Sequence, residues 1–194
     1  MNLPNKLTIL RIIFIPFFLV TLYVDAIPGG KWIALGLFII AAATDALDGY
    51  IARKYNLVTN FGKFMDPLAD KLLVSSAMIA LIELNKISAI VVIVIIAREF
   101  IISGFRLVAS DSGVVIAAGN LGKIKTVVQM VMVCVLIADF GGYVVYIIEQ
   151  VLIYSALILT VVSLIDYFIR NKDVLKDKEE IGRASCRERV SNYV

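Results

Sequence analysis

Residues 87–97, ISAIVVIVIIA, are apolar on every face that a helix or a strand could present. A barrel strand alternates polar and apolar side chains, so this run excludes an outer-membrane barrel. The rest of the chain shares the character: of 194 residues, 60% are hydrophobic and 18% charged, and the mean hydropathy is +0.91. One soluble core of this size cannot hide that much apolar surface. An α-helix crosses the ~30 Å hydrocarbon layer in about 20 residues, so the chain has room for roughly six or seven crossings. The expectation is an all-α polytopic membrane protein.

Hydropathy divides the chain into six spans, over 7–27, 31–52, 67–84, 87–109, 119–140 and 143–169. Short links carrying Pro28, Gly29 and Gly30, then Asn85, then Gly141 and Gly142 alternate with longer polar links over 53–63 and 110–120. Basic residues sort the same way. Lys6, Arg11, Arg53, Lys54, Lys63, Arg106, Lys123, Lys125, Arg170 and Lys172 fall on the long-link side, against Lys31 and Lys86 opposite. The positive-inside rule then puts both termini and the long links in the cytoplasm. Arg11 and Pro16 interrupt the first span, which is therefore read as a span and not as a signal peptide.

No internal repeat is evident, and residues 1–172 read as one membrane domain, with 173–180 as a charged cytoplasmic tail. Residues 181–190, IGRASCRERV, look like a translated sequencing-adapter read, so 181–194 are expected to be a non-native tail. Three of the arginines lie there, and the net charge of +3 carries little meaning.

The chemistry available is narrow. There is no His, and the two cysteines, Cys134 in an apolar run and Cys186 in the tail, cannot make a disulfide framework. Carboxylates, lysines and arginines remain. An aspartate within a span costs ~2.5–3.5 kcal/mol on insertion scales and is a functional candidate by default. Asp45 and Asp48 stand at i, i+3 near the cytoplasmic end of the second span, and Asp66 and Asp70 at i, i+4 entering the third. Each pair shares a helix face. A turn between antiparallel neighbours brings the pairs together, and four adjacent carboxylates repel one another unless cations bind. Oxygen ligands without His or Cys suit Mg²⁺, Mn²⁺ or Ca²⁺, and two ions are the economical reading. Gly49 and Ala52 leave the neighbouring surface nearly bare, so a ligand can approach the backbone, and Arg53 can aim its guanidinium at a phosphate. One such aspartate would ordinarily be a solvated cap; two pairs with Gly, Ala and Arg between them are hard to produce that way.

The segment 45–70, DALDGYIARKYNLVTNFGKFMDPLAD, resembles the signature of the CDP-alcohol phosphotransferase family, D-x2-D-G-x2-A-R-x8-G-x3-D-x3-D. Asp45, Asp48, Gly49, Ala52, Arg53, Gly62, Asp66 and Asp70 fill its eight fixed positions. The resemblance implies a dimeric membrane enzyme that moves a phospho-alcohol group from a CDP-linked donor to an alcohol and releases CMP. It further implies a requirement for divalent metal, Mg²⁺ or Mn²⁺, with no nucleic-acid partner. Carried onto this chain, Asp45, Asp48, Asp66 and Asp70 would be metal ligands. Asp70 would also be the general base, and Gly49, Ala52, Arg53 and Gly62 would contact the donor.

Arg98 in mid-span, Arg106 eight residues on, and Lys123 and Lys125 at the start of the fifth span offer cations for an anionic acceptor. The stretches AREFIISGFR, GNLGKIKT and NLPNKLTILR look like the bacterial branch of the family that uses CDP-diacylglycerol and sn-glycerol 3-phosphate. The rival within the family is a phosphatidylinositol-phosphate synthase. From a different class, a divalent-cation transporter would need polar groups at mid-membrane on several helices, and the outer half of every span is nearly devoid of them. Asn5, Thr8 and Arg11 recur on one helix face, with Asn5 as an N-cap, and are assigned to the nucleotide; Phe14, Phe17, Phe18 and Trp32 read as lipid-facing anchors.

Overall fold

The structure, a computed structural model, describes the backbone of residues 3–24, 26–54, 60–111 and 119–171, and the side chains of 9–24, 26–44, 68–107, 109, 119 and 121–171. Six helices account for nearly all of it: α1 (Leu3–Tyr23), α2 (Gly30–Lys54), α3 (Asn60–Glu83), α4 (Ala89–Asp111), α5 (Asn120–Ala138) and α6 (Tyr143–Arg170). There is no strand among the described residues. The all-α expectation holds, with two shifts in boundary. Helix α3 begins seven residues before the expected span, because Asn60, Lys63 and Asp66 are helical although polar, and hydropathy registers only the apolar part of a helix. Helix α1 starts at Leu3 and stops at Tyr23, which leaves Asn5 inside its first turns instead of at the N-cap.

The short links are tight; two of them depend on glycine, and the α3–α4 link turns at Asn85 with φ of +57°. A Cβ at Gly30 would stand 2.5 Å from the Thr21 carbonyl oxygen, so the α1–α2 corner closes only over glycine. Gly141 and Gly142 open α6 with φ of +71° and +94°, a region that costs glycine little and other residues much. All three short links meet at one end of the bundle. Lys86 of the α3–α4 link binds Asp139 Oδ1 at 2.6 Å, Lys31 Nζ donates to the Asp139 carbonyl at 3.1 Å, and Trp32 packs edge-on against Phe140.

Helix α1 packs on α2 and α3, α5 on α2 and α6, and α4 on α3 and α6. The core between them is made from helical stripes: Ala34, Phe38 and Ala41 of α2, Leu73, Ala77 and Leu81 of α3, and Met132, Val133 and Leu136 of α5, all essentially without exposure. Alanines in these stripes let backbones approach closely, the packing that helices use where no water drives them together. Phe18 is fully buried against Phe38, with ring centroids 6.0 Å apart, and Phe14 packs half-buried on the same core. Neither is a lipid-facing anchor. Periodicity could not have separated them from Phe17, which is exposed, because α1 is apolar all round; Trp32, at the start of α2, is exposed as expected.

The outside of the bundle is as apolar as the inside, with Ile90 74% and Ile93 63% exposed. Water would not tolerate such a surface on this scale; lipid would. By length and composition, Leu121–Ala138 and Tyr143–Arg170 can each cross a membrane, and Ile9–Tyr23 and Gly30–Thr44 are shorter apolar stretches. Hydroxyls on these helices turn back to their own backbone, as Thr44 does to Ile40 O at 2.7 Å and Thr160 to Ala156 O at 2.6 Å. That satisfies them without a partner helix.

Candidate active site

The two acidic pairs lie on consecutive helices in mirrored positions. Asp48 is six residues before the last residue of α2 and Asp66 six after the first of α3, or about 9 Å from the link on either side. Asp45 and Asp70 lie about 14–15 Å from it by the same count. The backbone therefore carries all four aspartates to one end of the bundle at matched depths, opposite the end where the short links meet. Of the side chains assigned to metal and donor, those of Asn5, Thr8, Asp45, Asp48, Gly49, Ala52, Arg53, Gly62 and Asp66 lie outside the described residues.

Asp70 is described, and it is half-buried. It stands at a cleft between α3, α4 and α5 whose polar lining is Asp70, Lys71, Ser75, Glu99, Thr126 and Gln129. The floor is closed by Met78, to whose sulfur Gln129 Nε2 reaches at 3.5 Å. Glu99 organises the cations around this cleft. Its Oε1 accepts from Arg98 Nη1 at 3.1 Å and from Lys125 Nζ. Lys125 is fully buried, Arg98 is 8% exposed, and Asp70 and Lys71 lie near enough to act electrostatically on Lys125 and Glu99. Position 122 is glycine where the Arg98 guanidinium lies alongside α5: a Cβ there would be 3.6 Å from Nη2.

The four cations expected to meet an anionic acceptor thus divide. Arg98 and Lys125 converge on one carboxylate inside the bundle. Arg106 is half-buried, 5.8 Å over the Tyr167 ring, and its Nε is buried without a hydrogen-bond partner among the described residues, as is the Tyr167 hydroxyl. Lys123 is exposed on α5. Arg11, assigned to the nucleotide, is fully buried inside the bundle. Glu99 stands beside Arg98 in the sequence, and that adjacency signals the ion pair; its second partner, Lys125, has no such signal, nor does Tyr167, one aromatic in an apolar run.

The donor set suits hard divalent cations: four carboxylates, no thiolate and no imidazole, on two helices that bring them to equal depth. Among the described residues alone there is no cluster of three such ligands, as three of the four side chains lie outside them.

An apolar helical bundle with paired acids at one end and a cleft of buried cations beside them is built for a membrane enzyme that handles phosphate esters. The chain belongs to the CDP-alcohol phosphatidyltransferase family, whose model matches residues 1–162. It is 45% identical to the CDP-diacylglycerol–glycerol-3-phosphate 3-phosphatidyltransferase of Bacillus subtilis over 188 residues, covering 90% of this chain and 97% of the relative. The protein of that name from Haemophilus influenzae is 39% identical over 93% of this chain and 98% of its own length. A probable phosphatidylglycerophosphate synthase of Mycobacterium tuberculosis is 36% identical over 87% of this chain and 81% of its own.

Proposed function

We propose that the protein transfers the phosphatidyl group of CDP-diacylglycerol to sn-glycerol 3-phosphate, giving phosphatidylglycerophosphate and CMP. The observation that carries this reading is the filling of all eight signature positions on two helices that hold the aspartates at matched depth, in a chain similar over nearly its whole length to enzymes so named.

Asp45, Asp48, Asp66 and Asp70 would hold two divalent cations, Mg²⁺ or Mn²⁺, whose contribution is to offset the charge of the donor pyrophosphate and of the departing CMP. The chain's own residues do the rest. Asp70 accepts the proton of the acceptor hydroxyl as that oxygen attacks phosphorus, and the bond from phosphorus to the CMP oxygen breaks with its electron pair leaving on CMP. Arg53 orients the donor phosphates, while the bare surface at Gly49, Ala52 and Gly62 admits the nucleotide. Asn5, Thr8 and Arg11 approach it from α1. Arg98, Arg106, Lys123 and Lys125 draw in the acceptor phosphate, with Glu99 setting the position of two of them.

In this reading all six helices cross the cytoplasmic membrane of the cell, both termini and the site face the cytoplasm, and the enzyme is a homodimer. Residues 1–172 are the catalytic domain, 173–180 a charged tail, and 181–194 dispensable. The deciding experiment is an acceptor panel of glycerol 3-phosphate, inositol 1-phosphate, inositol and serine with one CDP-diacylglycerol preparation and Mg²⁺. CMP release with glycerol 3-phosphate alone is expected, from the full chain and from one ending at residue 180. Release only with inositol 1-phosphate would move the protein to another branch. No release with any acceptor would sink the assignment.

A further inference from the structure

Past the far end of α3, about 20 Å along it from Asp70, where the short links meet, a second cavity opens. It measures about 570 Å³ and lies between the α3–α4 link and the first turns of α6. Its polar wall is Asn85, Lys86 and Ser88 from the link and Tyr146, Glu149, Gln150 and Tyr154 from α6. Phosphatidyl transfer as proposed does not use it, and Glu149 is an exception to the scarcity of polar groups in the outer halves of the helices.

Glu149 decides the character of this cavity. The residue is 8% exposed, and it makes no hydrogen bond or ion pair with any described residue. Its carboxylate oxygens are not among the sealed-off polar atoms of the interior, so they look into the open space they line. With most of the residue packed away and only the carboxylate facing the cavity, a cation entering there meets a negative group that no described residue already pairs. The cation already in the wall is committed elsewhere, since Lys86 Nζ binds Asp139 Oδ1 at 2.6 Å. The cavity is therefore negative where Glu149 looks into it.

The shape of the lining selects among cations. A bare divalent metal needs several oxygen donors, and the wall offers one carboxylate. Tyr146 and Tyr154 flank it three residues before and five after, 57% and 58% exposed, so aromatic faces are available beside the charge. Carboxylate, aromatic rings and the amides of Asn85 and Gln150 together suit an organic ammonium. We propose that this cavity binds an ammonium group, carried by a lipid headgroup or by a free amine, with Glu149 as its counter-ion. The site lies at the bundle end remote from the aspartates, and it stands whether or not the acceptor assignment does.

The test uses the purified full chain in detergent, with retained lipid counted by native mass spectrometry. Phosphatidylethanolamine is compared with phosphatidylglycerol of the same acyl chains, and free ethanolamine is titrated in parallel. The expected result is at least tenfold preferential retention of the amine lipid. Ethanolamine binding on its own, or displacing the lipid, would identify the ammonium alone as sufficient; lipid retention that ethanolamine leaves untouched would identify the source as a headgroup. Glu149→Gln should lower amine binding at least tenfold and Glu149→Asp much less. Tyr154→Leu, which alters an exposed position and no core contact, should weaken it severalfold and serves if Glu149→Gln fails to fold. Equal retention of both lipids with no ethanolamine binding would overturn the proposal. So would amine binding unchanged in Glu149→Gln or, where that variant does not fold, in Tyr154→Leu.

Discussion

Replacing Glu99 with Gln keeps the shape of the side chain and removes the charge that Arg98 and Lys125 share. Both cations lie inside the bundle, their side chains 10% and 1% exposed, and no other described carboxylate is paired with either. Removing one partner of a buried ion pair costs about 3–5 kcal/mol, because the remaining charge is stranded. The Glu99 side chain is 22% exposed, which admits some solvent screening and puts the case near the low end. For a chain of this size 1 kcal/mol moves Tm by about 2–4 °C, so about 3 kcal/mol corresponds to a fall of roughly 6–12 °C. Thermal unfolding of the detergent-solubilised protein reads this directly. The double variant Glu99→Gln with Lys125→Met removes the stranded ammonium as well, and should recover a good part of the loss. A Tm within 2 °C of the parent for Glu99→Gln, or a double variant no more stable than the single one, would show that the triad does not hold α4 to α5.

Further outcomes concern the chemistry. Asp70→Asn should lower turnover by ~10² or more while CDP-diacylglycerol still binds, and near-normal turnover in the folded variant would take Asp70 out of the proton transfer. Asp45→Asn and Asp66→Asn should raise the metal concentration needed for half-maximal activity; unchanged metal titrations would count against ligation. Gly49→Leu should abolish donor binding without loss of helix, since leucine is the better helix former, whereas normal donor affinity would leave Gly49 a packing role only. Arg98→Lys keeps the charge and loses the planar fork, so the KM for glycerol 3-phosphate should rise roughly tenfold or more with donor affinity intact, a split that a purely structural Arg98 would not produce.

The placement of Asp45, Asp48, Asp66 and Asp70 at matched depths was legible, because helical periodicity and one short turn suffice to bring an i, i+3 and an i, i+4 pair to one end of the bundle. The six helices were legible for a related reason: apolar runs of this length have one structural outcome in lipid. What could not be read was facing. In an amphipathic helix the polar side marks the outside, but here both sides are apolar and the contrast is gone. Phe17 and Phe18 are neighbours in one run, and one faces out while the other fills the core. Lys123 and Lys125 are two residues apart, and one is exposed while the other is sealed inside against Glu99. Charges inside such a bundle choose partners by tertiary packing, which leaves no period in the sequence. The early start of α3 was missed for the complementary reason, since a polar helix end looks like a loop to a hydropathy scale.

Sharing one oxygen of Glu99 between Arg98 and Lys125 has a consequence for how the protein is made. If all six helices span the membrane as proposed, a chain emerging amino-terminus first delivers α4 to the translocation machinery before α5, and α4 carries Arg98 and Glu99 side by side. Each ionised residue placed alone at the centre of a helix costs ~2.5–3.5 kcal/mol on entering the bilayer, whereas adjacent opposite charges enter as a neutral dipeptide. When α5 follows with Lys125, the carboxylate that will receive its ammonium is already in place. The order of synthesis thus brings the lysine to a carboxylate already in place, although one carboxylate facing two cations leaves the triad with one net positive charge.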